Sequence, residues 1–353
     1  MQVIAEWVEL ISITLCLGVL VCHLWVIIPL LGDKDLYAAT LRSMWRLFSI
    51  GIVALTAGSI VELFMRSTEI SGRSLSGVLS VLPTVLFRTH YGGVWLVRIA
   101  ALVLLSVAVL GARRRRDTQT FLCVSLVIGL IIAATRSASG HASDAGDFSI
   151  PEIMDWLHLV AASVWGGGLM VLFAAILPKL KGPEEKIAPV VAGVAGRFST
   201  MVGIAVGFIA LTAIYNLWIE VRSIEALVKT PYGLAVTAKI VLFVIVINFG
   251  ALNRYVTVPL LQEWGGGSPV HRGMIGRIAS AFFSPFLRNL SGRRVAAKFR
   301  VLVGIEALVI VGILFCASLL RHEVPARHYM HMHHMHNNGS VAAPPGGVHM
   351  HHE

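Results

Sequence analysis

Long apolar stretches separated by short polar and basic intervals run along the chain to about position 320, and the pattern changes abruptly after that. A bilayer core about 30 Å thick takes about 20 residues of helix, because each residue rises about 1.5 Å and lipid leaves no backbone group satisfied outside a helix or closed barrel. Eight stretches meet that requirement: Val8 to Leu31, Leu47 to Met65, Val94 to Ala112, Phe121 to Ser137, Asp155 to Leu177, Ser199 to Ile219, Leu234 to Leu252 and Val301 to Leu320. The apolar run from Leu75 to Phe87 is too short to span and contains Pro83, so it reads as an interfacial or partly re-entrant segment. The expected fold is all-α, a polytopic membrane bundle of about eight transmembrane helices over residues 1–320, followed by a tail over 321–353.

Composition agrees with that pattern. Hydrophobic residues make up 56% of the chain, charged residues only 14%, and mean hydropathy is +0.78, more apolar than a water-facing surface tolerates. The formal charge of +10 does not point to nucleic acid, because Lys and Arg sit in short runs between spans, where they set topology. Nineteen of them fall in the intervals after the first, third, fifth and seventh spans and eight on the opposite side, which predicts that both termini face outward. Residues 255–300 mix aromatic and basic positions and read as a cytoplasmic loop with a helix lying on an anionic membrane surface. The N-terminus lacks a basic n-region and a cleavage site, so the first span is expected to remain a helix. Cys16, Cys22, Cys123 and Cys316 lie in apolar segments without a C-x-x-C spacing and read as small apolar filler.

The tail carries the most distinctive chemistry. Nine of fourteen histidines lie there, and His328, His331, His333, His334, His336, His349, His351 and His352 are interleaved with Met330, Met332, Met335 and Met350. Imidazole takes divalent copper, zinc or nickel, whereas soft thioether sulfur favours Cu(I), so the mixture points to copper as Cu(I) and/or Cu(II). Nothing in such a sequence fixes one geometry, and it is expected to act as a flexible external collector with exchangeable ligand sets.

Ionisable and sulfur-bearing groups in or beside spans are functional candidates by default. Met65, His90, His141, Met154 and His158 all fall at the outward level, and the i, i+4 spacing of Met154 and His158 places both on one helix face. His23 lies deeper, as a second ligand station or a helix-to-helix hydrogen bond. Arg98 and Lys239 are expected to snorkel to headgroups, and Glu306 to pair with a neighbouring helix rather than to serve transport. Gly166 to Gly168 fall inside a span and read as small residues for close helix packing.

Four pieces taken together resemble the CopD copper resistance family: Trp156-Leu-His158 through Trp165-Gly-Gly-Gly-Leu169, Gly92-Gly93-Val-Trp95-Leu-Val-Arg98, Gly140-His141-Ala142, and Asn253-Arg254-Tyr255 leading to Pro259. The resemblance implies a bacterial inner-membrane protein that handles copper, often beside a periplasmic copper-binding partner of the CopC type, with His141 and His158 as functional positions. The function expected is copper transport, in the direction of uptake, without enzymatic chemistry. Two readings compete: a copper sensor or delivery factor without net transport, and a haem-bearing membrane oxidoreductase. For the haem, His23 and His158 differ in depth by roughly 18 Å, too far to share one bis-histidine site.

Overall fold

The computed structural model describes residues 2–30, 32–72, 75–114, 118–140, 146–221, 224–268, 274–283 and 292–323. Among them eight helices are long and apolar enough to cross a membrane, and they match the eight stretches read from the sequence: α1 Gln2–Ile27, α2 Lys34–Ser71, α3 His90–Gly111, α4 Gln119–Ala138, α5 Ile150–Lys179, α6 Glu184–Ile219, α7 Pro231–Trp264 and α8 Gly292–Leu320. No strand occurs among the described residues. The segment after α2 forms a 3-10 turn, Leu75–Ser80, and a seven-residue helix, Leu82–Arg88, both too short to span. The tail ligands from His328 to His352, and His141, lie outside the described residues.

The helices run several residues past the apolar stretches because their polar ends have local partners. At the start of α2, Asp33 Oδ1 accepts the N–H groups of Asp35 at 2.9 Å and Leu36 at 3.0 Å. Those two donors hold the Asp33 carboxyl below its ordinary pKa. α7 extends beyond Leu252 through a π-helical turn, Asn253–Thr257, into Val258–Trp264. Pro259 falls just after that turn, where helical register has already shifted and its missing N–H is tolerated. The described residues between 255 and 300 are therefore largely helical: the end of α7, a separate ten-residue helix Met274–Phe283, and the first turns of α8.

α1 is the most enclosed span, and α7 the least. It packs beside α2, α4, α5 and α8. The outer helices instead turn large apolar side chains outward, among them Val53, Val107, Leu211, Ile214 and Leu308. An apolar belt this continuous is stable only against lipid. Trp7 Nε1 donates to Val311 O at 3.0 Å, and Arg321 Nε lies 3.5 Å from Glu6 Oε1, so the chain enters and leaves the bundle at the same end, here called the terminal end.

α1 and α5 run parallel at a very close crossing. Thr14 Oγ1 lies 3.4 Å from Ser163 Oγ, and one turn further a Cβ added at Gly18 would stand 2.2 Å from the Gly167 carbonyl carbon. A Cβ on Gly167 would reach 1.9 Å from Thr14 O. The glycine run at 166–168 thus serves the close packing its sequence predicted. Gly167→Ala is expected to destabilise the protein by at least the ~1–3 kcal/mol of an overpacked core. Gly207, where an added Cβ would meet nothing within 4 Å, is the control and tolerates alanine. Thermal unfolding in detergent separates the two, and equal midpoints would refute the crossing.

Candidate copper-handling site

α5 begins at a tight turn that fixes its first residues. Gly146 and Phe148 both take positive φ, 101° and 56°, and Phe148 N–H donates to Glu152 Oε2 at 2.7 Å, tying the turn to the first helical turn. Pro151 sits at the helix start, where no N–H partner is lost. Trp156 Nε1 then donates to Leu130 O at 3.1 Å, anchoring the helix to α4. These contacts set the rotation of the face that carries Met154 and His158.

His158 Nδ1 lies 2.9 Å from Thr212 Oγ1 on α6. The threonine hydroxyl has one proton, and Phe208 O, 2.7 Å away, takes it by the back-bond usual for a helical threonine. Thr212 therefore accepts from His158, which fixes the proton on Nδ1 and leaves the lone pair on Nε2. A hydrogen bond that selects the tautomer and orients the ring is the support that metal-binding imidazoles characteristically have. With the Met154 thioether one turn earlier on the same helix, the face offers a nitrogen and a sulfur donor, a half-site suited to copper.

At the same end of the bundle lies a charged cluster that sequence reading did not assemble. Arg98, 1% exposed, donates from Nη1 to Glu9 Oε1 at 2.5 Å and Glu62 Oε2 at 2.8 Å, from Nε to Thr135 Oγ1 at 3.1 Å, and from Nη2 to Thr135 O at 3.0 Å. Arg136 Nη2 reaches Glu6 Oε2 at 3.3 Å, and Arg321 Nη2 reaches Glu62 Oε1 at 3.2 Å. Five spans, α1, α2, α3, α4 and the end of α8, are thus pinned together at the terminal end. Arg98 does not snorkel: its guanidinium turns inward because two carboxylates and a threonine await it at the same level, a better environment than the headgroup layer. Each of the three carboxylates is ion-paired with a guanidinium, although Glu9 Oε2 has no hydrogen-bond partner. The signal was present in the sequence, since Glu6 and Glu9 open the first span at the level of Arg98 and Arg136, but the partners are far apart in the chain.

The other predicted ligands are dispersed. His90 Nε2 is 2.8 Å from Asp147 Oδ1, with both side chains more than half exposed, and Met65 is half-buried near the end of α2. The offset of the α1–α5 crossing, Thr14 to Ser163 and Gly18 to Gly167, places His158 level with Glu9 and leaves His23 fourteen residues, about 21 Å, further along the axis. His23 cannot share an ion or a haem with His158. It is fully enclosed, with Nε2 3.0 Å from Tyr37 OH on α2 and its ring edge-on to Trp45. Its Nδ1 is buried without a hydrogen-bond partner. On the helix-to-helix hydrogen-bond reading, His23→Leu is expected to cost about 1–3 kcal/mol through the stranded Tyr37 hydroxyl while leaving copper accumulation unchanged. A protein that folds normally but accumulates less copper would instead make His23 a ligand. Among the described residues no three His, Cys, Asp or Glu side chains converge as an ion site.

Comparison with known proteins identifies relatives of the chain. The family described as copper resistance protein D matches residues 192–320, and the copper resistance protein D-like N-terminal domain matches residues 1–149. The copper resistance protein D of Pseudomonas syringae pv. tomato is 30% identical over 227 residues, covering 63% of this chain and 70% of that protein. Copper transport protein CutJ of Bacillus subtilis is 28% identical over 218 residues, 60% of this chain but only 39% of its own length. Inner membrane protein YebZ of Escherichia coli is 27% identical over 180 residues, 50% of this chain and 58% of that protein. No solved structure matches.

Proposed function

Because this chain belongs to the copper resistance protein D family, we propose that it carries copper ions across the bacterial inner membrane, taking them up at the terminal end of the bundle. The observation that carries this reading is the His158 imidazole held through Nδ1 by Thr212, with Met154 one turn earlier on the same helix. In this reading the terminal end faces the periplasm. The distribution of Lys and Arg supports that orientation, and the ion pairs strengthen it: Arg136 and Arg321, two of the few basic residues at this end, are neutralised by buried glutamates.

The His/Met tail, which follows Glu323 in the sequence, is assigned the role of concentrating copper for the mouth, alone or together with a CopC-like periplasmic partner. His141, which follows Gly140 in the sequence and lies outside the described residues, is the ligand proposed to complete the half-site. The membrane potential favours inward movement of a cation by about 2.3 kcal/mol per charge per 100 mV, so uptake needs no nucleotide motor and no catalytic step.

Truncation after Glu323 tests the division of labour while keeping Arg321 and His322, both of which contact Glu6. The truncated protein is expected to accumulate less copper than the intact one at limiting copper and equally at saturating copper. A deficit persisting at saturation would place the tail within the translocation step itself.

A further inference from the structure

A second polar site lies away from the copper half-site, between α5, α6, α7 and α8. A cavity of about 330 Å³ opens there among mostly apolar side chains, and six residues with polar side-chain groups line it: Trp165, Ser199, Asn253, Arg254, Tyr255 and Glu306. Glu306 is the middle residue of the 29-residue α8 and is 3% exposed. Its Oε1 accepts from Asn253 Nδ2, an uncharged donor, and among the described residues no cation pairs with it. This contrasts with the terminal cluster, where every buried glutamate meets an arginine. Arg254 shares the cavity, but its Nη1 donates to Ser199 O and, at 3.2 Å, to Ser199 Oγ.

Two further polar atoms there have no partner. Trp165 Nε1 and Asn253 Oδ1 are buried without a hydrogen bond, on residues only 2% and 7% exposed. Both belong to π-helical turns, Ser163–Gly167 and Asn253–Thr257, which interrupt α5 and α7 at the cavity. Such turns recur at functional positions because they re-aim side chains and loosen backbone pairing. A stranded donor and a stranded acceptor facing a space large enough for several water molecules are the conditions under which buried water is held.

We propose that Glu306 is a proton-exchange site, a carboxylate that binds and releases one proton through water held in this cavity. An unpaired carboxylate in the membrane interior is costly when charged and comfortable when protonated, so proton binding there is set by the occupancy and polarity of the cavity. The groups able to bias it are Arg254 and Tyr255, both from α7; the lining residues of α5 and α6 bring no ionisable side chain. The chemical step is carboxylate plus proton giving carboxylic acid, with water carrying the proton in and out. Resting on the transport reading above, this site supplies a counter-ion or co-ion for copper movement, gained or lost as the cavity changes its access.

The test is infrared difference spectroscopy of the full chain in lipid, free of copper, across a pH series. Wild type is expected to show a carboxylic-acid carbonyl band that titrates, and Glu306→Gln to lose it. A titrating band unchanged in Glu306→Gln, or no titrating band in wild type, overturns the proposal. Should that variant fail to fold, Asn253→Leu replaces it: removal of the amide donor must shift the titration of the band, and an unshifted band overturns the assignment. The spectroscopic result stands without copper transport. A titrating Glu306 band in a protein that accumulates no copper supports the proton site and counts only against the transport reading.

Discussion

Replacing Arg98 by leucine is expected to destabilise the protein by about 3–5 kcal/mol, the cost of stranding a buried charge whose partner is removed. Arg98 sits between Glu9 and Glu62, which are 0% and 4% exposed, so both carboxylates stay buried when the guanidinium goes. Arg136 is an ion-pair neighbour of Glu9 but does not hydrogen-bond it, its Nε being 3.7 Å from Oε2. The net worth of the intact network is much smaller than this loss, because the ions were desolvated to make it. For the same reason Glu9→Gln combined with Arg98→Leu is expected to recover part of the stability lost in Arg98→Leu alone, through removal of one stranded charge. Thermal unfolding of single and double variants in detergent measures both effects. Additive losses would mean that the two residues do not depend on one another as their contact requires.

The second large effect is at His158. His158→Ala is expected to abolish transport of copper into a protected compartment, and thermal unfolding checks that the fold survives loss of its hydrogen bond to Thr212 on α6. Thr212→Val is the sharper variant. It keeps the imidazole and removes only the acceptor that holds the proton on Nδ1, so the ring is free to rotate and to exchange tautomers. Loss of such a supporting partner typically weakens metal binding or activity 10–100-fold, and the variant should show an intermediate defect. Copper accumulation equal to wild type in Thr212→Val would mean that ring orientation does not matter, and would remove the main argument for His158 as a ligand.

How much of this was legible in the sequence depended on whether a feature was local. The eight spans were, because lipid imposes a length and an apolarity that a window of about 20 residues reveals. The glycine run at 166–168 was too, although only the structure shows that Gly18 is its counterpart on α1. The pairing of His158 with Thr212 was not, because 54 positions separate them and a helical threonine carries no distinctive pattern. The charged cluster failed for another reason: Arg98 and Arg136 near span ends look like headgroup anchors, and only the convergence of Glu6, Glu9 and Glu62 from two other helices turns them inward. The π-helical turns at 163–167 and 253–257 likewise arise from tertiary packing and leave no periodicity to read.

The most direct test of the account is time-dependent copper accumulation in oriented vesicles containing intact protein, the truncation after Glu323, or His158→Ala, with an impermeant chelator stripping surface-bound metal before counting. The account predicts that chelator-protected copper rises with time for the intact protein, rises more slowly for the truncation at limiting copper, and stays at the protein-free level for His158→Ala. Protected copper that never exceeds the protein-free level, even with intact protein, would contradict transport and leave copper binding at the membrane surface as the function of the family fold in this chain.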